Sequence, residues 1–95
     1  MHYRITKVHH EQGKRNNIIT YLKTKNEDIK SIEGLQSVRM IAISDTESIA
    51  LSKYENEKQL TMAEKKFKEI MGGIMPFMTT PPEVHNGDEC WSIKK

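Results

Sequence analysis

The sequence predicts an α+β fold in which a four-stranded antiparallel sheet carries two helical regions on one face. Three observations predict it. Stretches rich in β-branched and aromatic residues recur at 3–10, 35–44, 48–54 and 88–94, a composition that suits a pleated, half-buried surface. Helical apolar spacing fills the interval between the first and second stretches and the interval between the third and fourth. The middle two are separated only by Asp45-Thr46-Glu47, which leaves room for a hairpin and nothing longer. A chain of 95 residues makes a single domain, 1–95. A domain of that size hides only roughly 60–65% of the surface its unfolded chain exposes, so its core is thin and a second copy would add burial.

Strand 1 is expected over 3–10, ending at Glu11-Gln12-Gly13. Ile18, Leu22, Ile29 and Ile32 then fall on one face of a helix over about 14–32, with Gly34 where a C-terminal cap belongs. The polar stretch Lys23 to Asp28 offers an alternative, two shorter helices with Asn26 capping the second. Leu35 to Ser44 reads as strand 2 and Ser48 to Tyr54 as strand 3. The second helix starts at Asn56, whose side chain can cap the first turn while Gln59 reaches back in a capping box. Its apolar stripe is Leu60, Ala63, Phe67, Ile70, Met71 and Ile74, and Gly72-Gly73 should weaken or end it before Pro76. Asn86-Gly87 signals a turn ahead of strand 4, expected over about 88–94.

The resulting order, βαββαβ, is the split-βαβ, ferredoxin-like arrangement, with both helices on one face of the sheet. Its other face is left bare. The strands are apolar on both parities: Val38, Met40 and Ala42 oppose Ile41 and Ile43, and Ile49 and Leu51 oppose Ala50 and Tyr54. Apolar residues on both faces are expected when a second layer covers the bare side. A homodimer stacked face to face supplies that layer.

Gly34-Leu35 before strand 2, Tyr54-Glu55-Asn56 at the entry to the second helix and Pro81-Pro82-Glu83-Val84 before the last strand make the chain resemble the dimeric α/β-barrel superfamily. Within it, the chain is similar to the small antibiotic-biosynthesis monooxygenases. The resemblance covers nearly the whole chain and rests on pattern, since none of these matches is a catalytic motif. It implies a dimeric α/β barrel with a pocket in each protomer, between sheet and helices, of the kind that takes quinones, polyketides, haem or other flat organic molecules. It also implies oxygenation with no metal or flavin cofactor, because an electron-rich substrate itself reacts with oxygen. The haem-degrading branch is expected to use an Asn, a His and a Trp, the latter two in the second-helix half. Helix 2 here holds neither His nor Trp, so those roles are not carried over.

Fifteen Lys and Arg against thirteen Asp and Glu leave a net charge of +2, and the basic runs are as short as Lys14-Arg15 and Lys65-Lys66 with Lys68. Nucleic-acid binding relies on dense phosphate neutralisation by a basic face, which this chain lacks. Strand 3 also lacks the aromatic and basic pattern of an RNA-recognition sheet. A single cysteine, Cys90, rules out an internal disulfide and thiol-rich metal centres, and suits a cytoplasmic protein. The first residues lack a signal-peptide core, and Ile70 to Met78, broken by Gly72, Gly73 and Pro76, is far short of the roughly twenty residues that span a bilayer. No membrane partner is expected.

Candidate chemistry centres on His9, His10 and His85. Neighbouring strand residues point to opposite faces, so His9 and His10 cannot chelate one ion together, but one of them can face a pocket. A neutral imidazole there takes a proton from a phenol or enol near neutral pH, the step that cofactor-free oxygenation needs. Against this stands the plain surface histidine, and for His85 the plain loop histidine. A site from His9 or His10, Glu11 and His85 has suitable metal donors but no spacing motif, so no metal is expected. Tyr21, Tyr54 and Trp91 can stack on a flat ligand, or serve as core and dimer contacts. Cys90 reads as a small hydrophobe, and the methionines of the second helix as core filling. The expected function is therefore a homodimeric protein that binds a small apolar or aromatic metabolite and oxidises it without a cofactor. The rival is a non-catalytic dimeric module that binds or senses a small molecule. A cavity lined by Tyr or Trp, with a buried His and an entrance, speaks for chemistry; a filled interior speaks for the module.

Overall fold

The computed structural model describes all 95 residues. Strand β1 (His2–His9) runs through the middle of one sheet of order β2-β3-β1-β4, with β2 (Leu35–Ser44), β3 (Glu47–Tyr54) and β4 (Glu83–Asp88) all joined by antiparallel ladders. Four helices cover one face: α1 (Arg15–Thr24), α2 (Asn26–Lys30), α3 (Glu57–Met62) and α4 (Glu64–Ile74). Met75–Phe77 close the last of them with a 3-10 turn. This is the ferredoxin-like α+β arrangement that the order of elements predicts.

Each predicted helical region is two helices. The first divides at Lys25, one residue before the cap that the polar stretch suggested, and Asn26 begins α2 without bonding its first turn. Ile18 of its stripe is buried, and Leu22, Ile29 and Ile32 are half-buried behind it. Gly34 takes a left-handed φ of +82° and turns the chain into β2, a conformation that glycine adopts without penalty. Asn56 caps α3 as expected, its Oδ1 accepting the Gln59 N–H at 2.9 Å. The reciprocal arm is missing: the Gln59 side chain lies against Gly34, and its Oε1 is buried without a partner.

Gly72-Gly73 does not end α4, which continues to Ile74. A Cβ on Gly73 would overlap the ring and hydroxyl of Tyr21, so the missing side chain is what lets α1 rest on α4. The Tyr21 hydroxyl donates to the Ile70 carbonyl of that helix at 2.9 Å. Gly72 faces open space.

The last strand also departs from expectation. It occupies 83–88 rather than 88–94, with Asn86-Gly87 inside it, because its register is set by β1: Lys7 pairs with Glu83 and His2 with Asp88. The ladder ends where the Glu89 N–H meets the Met1 carbonyl, and residues beyond it face no strand. The hairpin turn is Asp45-Thr46, as the sequence suggested, with β3 starting one residue early at Glu47.

Even-numbered residues of β1 and β3 face the helices. They include Val8 and Tyr54, but also Arg4, Thr6 and Ser48. Val8, Ile18 and Ile74 form one core cluster, and Tyr54, Leu60 and Ala63 a second. The opposite face carries Ile5, Ile41, Ile49 and Leu51 with no layer over it. No helix is long and apolar enough to cross a membrane.

Candidate functional site

The two core clusters do not meet. Between them, under the helices, lies a cavity of about 80 Å³ with an almost entirely apolar wall that includes Val8, Met40, Phe67, Met71 and Ile74, with Thr6, Ser52 and Tyr54 the lining residues that carry a hydroxyl. Leu22, Ile29, Leu35, Val38 and Met40 also belong to a larger open cleft of about 510 Å³ between α1, α2 and the edge of β2. The cavity alone is too small for a drug-sized molecule, whereas the adjoining cleft reaches the usual size of a ligand site. Cavity and cleft thus lie side by side, and Lys23, Asn26, Lys30 and Gln36 stand along the cleft.

Behind the cavity wall sits a buried charge. Arg4 is 0% exposed. Its Nη1 donates to the Tyr54 hydroxyl at 3.2 Å, and its Nη2 to the Leu60 carbonyl at 3.3 Å and to Glu64 at 2.7 Å. The guanidinium lies 3.9 Å from the centre of the Phe67 ring, where the ring face attracts a cation. Its Nε is buried without a partner. A buried guanidinium persists only when it is matched in this way. Burial pushes the Tyr54 phenol above its usual range, Arg4 pulls it back, and Glu64 pushes it further up. Tyr54 therefore remains a neutral hydroxyl near neutral pH, its oxygen occupied by Arg4 and its proton available to donate.

Of the residues singled out from sequence, the structure brings Tyr54 alone to the cavity. Tyr21 packs against α4 outside it and borders a separate groove with Asn16, Thr20 and Phe77. Trp91 lies beyond β4 and is largely exposed. His10 is buried, but at the end of the sheet. Its Nδ1 lies 3.0 Å from the Glu11 carbonyl and its Nε2 2.9 Å from Ser48 Oγ, which also accepts from Arg15 Nε at 2.8 Å. A neutral ring with its proton on Nδ1 satisfies all three contacts, and leaves no nitrogen for a ligand. His9 stands on the open face between Glu47 and Glu83, at 3.7 and 3.8 Å. His85, read as a loop residue, is exposed on β4 opposite Ile5 on that same face. No group of three or more His, Cys, Asp or Glu side chains is placed to hold a metal ion.

Arg4 escaped the sequence reading. Its only signal was a charged residue on the parity of strand 1 shared by Thr6 and Val8. No family model matches the chain, and no curated protein matches it. Solved structures do match. A monooxygenase of Streptomyces coelicolor, in complex with nanaomycin D, superimposes with a TM-score of 0.83 at 15% identity, over 99% of this chain and 91% of that one. The chain has the fold of the antibiotic biosynthesis monooxygenases. A Nitrosomonas europaea protein assigned provisionally to that group gives 0.76 at 12% identity, over 96% of this chain and all of that one. A conserved protein of Methanosarcina mazei gives 0.76 at 16%, over 92% and 91%. At these identities the likeness establishes the fold, and chemistry has to be argued from the cavity.

Proposed function

We propose that the protein binds a flat, apolar metabolite bearing a phenol or ketone oxygen in the sheet–helix cavity, and oxidises it with molecular oxygen without a cofactor. The observation that carries the reading is the apolar cavity beside a cleft, with Tyr54, whose hydroxyl Arg4 supports, among the residues of its wall. An apolar wall selects a flat ring system, and one neutral donor orients it by its oxygen. In such a reaction a ring CH2 becomes a carbonyl: R2CH2 + O2 gives R2CO + H2O, with the substrate supplying all four electrons. The group the protein must provide stabilises the substrate's oxyanion while electrons leave for oxygen, and the Tyr54 proton, backed by the Arg4 charge, is suited to that. The nanaomycin D complex of the Streptomyces coelicolor neighbour supports a ligand of this general kind.

The unpartnered Ile5, Ile41, Ile49 and Leu51 face supports a homodimer stacked through its sheets. A second reading, a non-catalytic binding module, is favoured by one observation: no histidine or carboxylate lines the cavity to act as a base. Anthrone separates the two. The oxygenase reading expects saturable binding, oxygen uptake and anthraquinone absorbance, all reduced in Tyr54→Phe. Binding without uptake selects the module. Absence of binding by anthrone and by its quinone overturns both.

A further inference from the structure

Every charged side chain along the cleft is positive. Lys23, in the last turn of α1, and Lys30, at the end of α2, line it, and none of its 11 lining residues is Asp or Glu. Neither lysine is firmly matched within the chain. Lys23 joins none of the molecule's ion pairs. Lys30 reaches Glu27 only at 4.0 Å, with the two side chains 72% and 93% exposed, an arrangement that contributes little. The remaining lysine of this region belongs elsewhere: the Lys25 ammonium lies 5.9 Å from the Tyr21 ring centre and does not line the cleft.

Most of the remaining wall is apolar. Ile19, Leu22, Ile29, Leu35, Val38 and Met40 supply it. All of these but Ile19 line the cavity as well, so the cleft borders the site read above. An apolar surface beside unmatched charge of one sign suits a ligand with rings for the wall and a group of opposite charge for the lysines. An ammonium is a compact point charge with three donors, and Asn26, Gln36 and Ser37 add neutral polar groups around it.

We propose that the ligand is a flat aromatic acid whose carboxylate accepts from the ammonium groups of Lys23 and Lys30 in the cleft. This rests on the flat-ligand reading above, and goes beyond it by fixing the ligand's charge. The same lysines decide which way round the molecule lies. Its charged end stays in the open cleft, where water still reaches it and desolvation costs least, and its rings turn to the apolar wall.

Anthraquinone-2-carboxylate and anthraquinone-2-carboxamide share their rings and nearly their shape, and differ in charge. Each is titrated calorimetrically into the protein near neutral pH, at low and at high salt. The acid is expected to bind about three- to thirtyfold more tightly than the amide, the sum of two exposed ion pairs, and to lose that advantage as salt rises. Lys23→Met with Lys30→Met keeps most of the apolar stems; it should abolish the advantage and change amide binding less than about twofold. Lys14→Met with Lys25→Met removes the same charge outside the cleft and should preserve the advantage, with circular dichroism showing that both variants fold. Equal binding of acid and amide overturns the acid assignment and leaves the flat-ligand reading standing. An advantage that survives loss of Lys23 and Lys30, or that loss of Lys14 and Lys25 removes equally, also overturns it, since the charge is then read elsewhere. Binding of neither compound overturns both readings.

Discussion

Replacing Tyr54 by Phe removes one oxygen from the molecule, and the structure says what that oxygen does. It accepts a hydrogen bond from Arg4 Nη1 at 3.2 Å between two buried residues, beside an Arg4 Nε that already lacks a partner. The ring and its packing stay. A hydrogen bond to a charged group contributes about 1.5–3 kcal/mol when its loss leaves a buried donor unmet. Release of the Tyr54 hydroxyl from its own burial offsets part of this, so the expected loss is about 1.5–2.5 kcal/mol. For a domain of this size that lowers Tm by roughly 6–20 °C. The effect also depends on pH. Burial raises the folded-state phenol above its ordinary value of 10.0, so the folded protein keeps a proton that the unfolded chain releases first. That contribution is fully present below pH 10.0 and is lost as pH rises through the folded-state value. Phenylalanine has no such proton, so the gap between wild type and variant should narrow above pH 10.0. Urea unfolding followed by far-ultraviolet circular dichroism, near neutrality and at stepped alkaline pH, measures both. A loss below about 0.5 kcal/mol, within the range of an ordinary surface substitution, or a gap indifferent to alkaline pH, would refute the Arg4–Tyr54 assignment.

The two adjacent glycines of α4 should behave oppositely. Gly72→Ala, in open space, should stabilise by about 0.5–1 kcal/mol through helix propensity. Gly73→Ala should destabilise by about 1–3 kcal/mol by displacing Tyr21, and thermal unfolding distinguishes the pair. His10→Ala should lower stability by about 1–3 kcal/mol, because it strips partners from Ser48 and the Glu11 carbonyl, and should leave ligand affinity per folded molecule unchanged. His9→Gln and His85→Gln, on the face away from the cavity, should change ligand affinity less than about twofold, an energy under half a kcal/mol; fluorescence or calorimetric titration checks all three.

What the sequence disclosed was local chemistry. The Asn56 cap, the Asp45-Thr46 turn and the left-handed Gly34 each act through their immediate neighbours, and each was readable. The parity of strand 1 was not. Hydropathy favours Ile5 inside and Arg4 outside, yet Arg4 is buried and Ile5 is 38% exposed. The reason is Glu64, sixty residues away, which matches the charge across a packing that no local window contains. Asn86-Gly87 misled for a similar reason, since pairing with β1 outweighs turn propensity. The alternation that separates His9 from His10 was legible, but their assignment to faces waited on the same inverted parity.

The contact between Tyr21 and Gly73 has a consequence for ligand size. Neither residue lines the cavity itself, yet together they fix how closely α1 approaches α4, and therefore how high the roof stands above the sheet. The pair works as a spacer whose two halves can trade volume. A larger residue at 73 matched by a smaller one at 21 would preserve the spacing, while a mismatch would raise or lower the roof. Proteins of this shape could thus drift toward bulkier or slimmer ligands without altering any side chain that meets them.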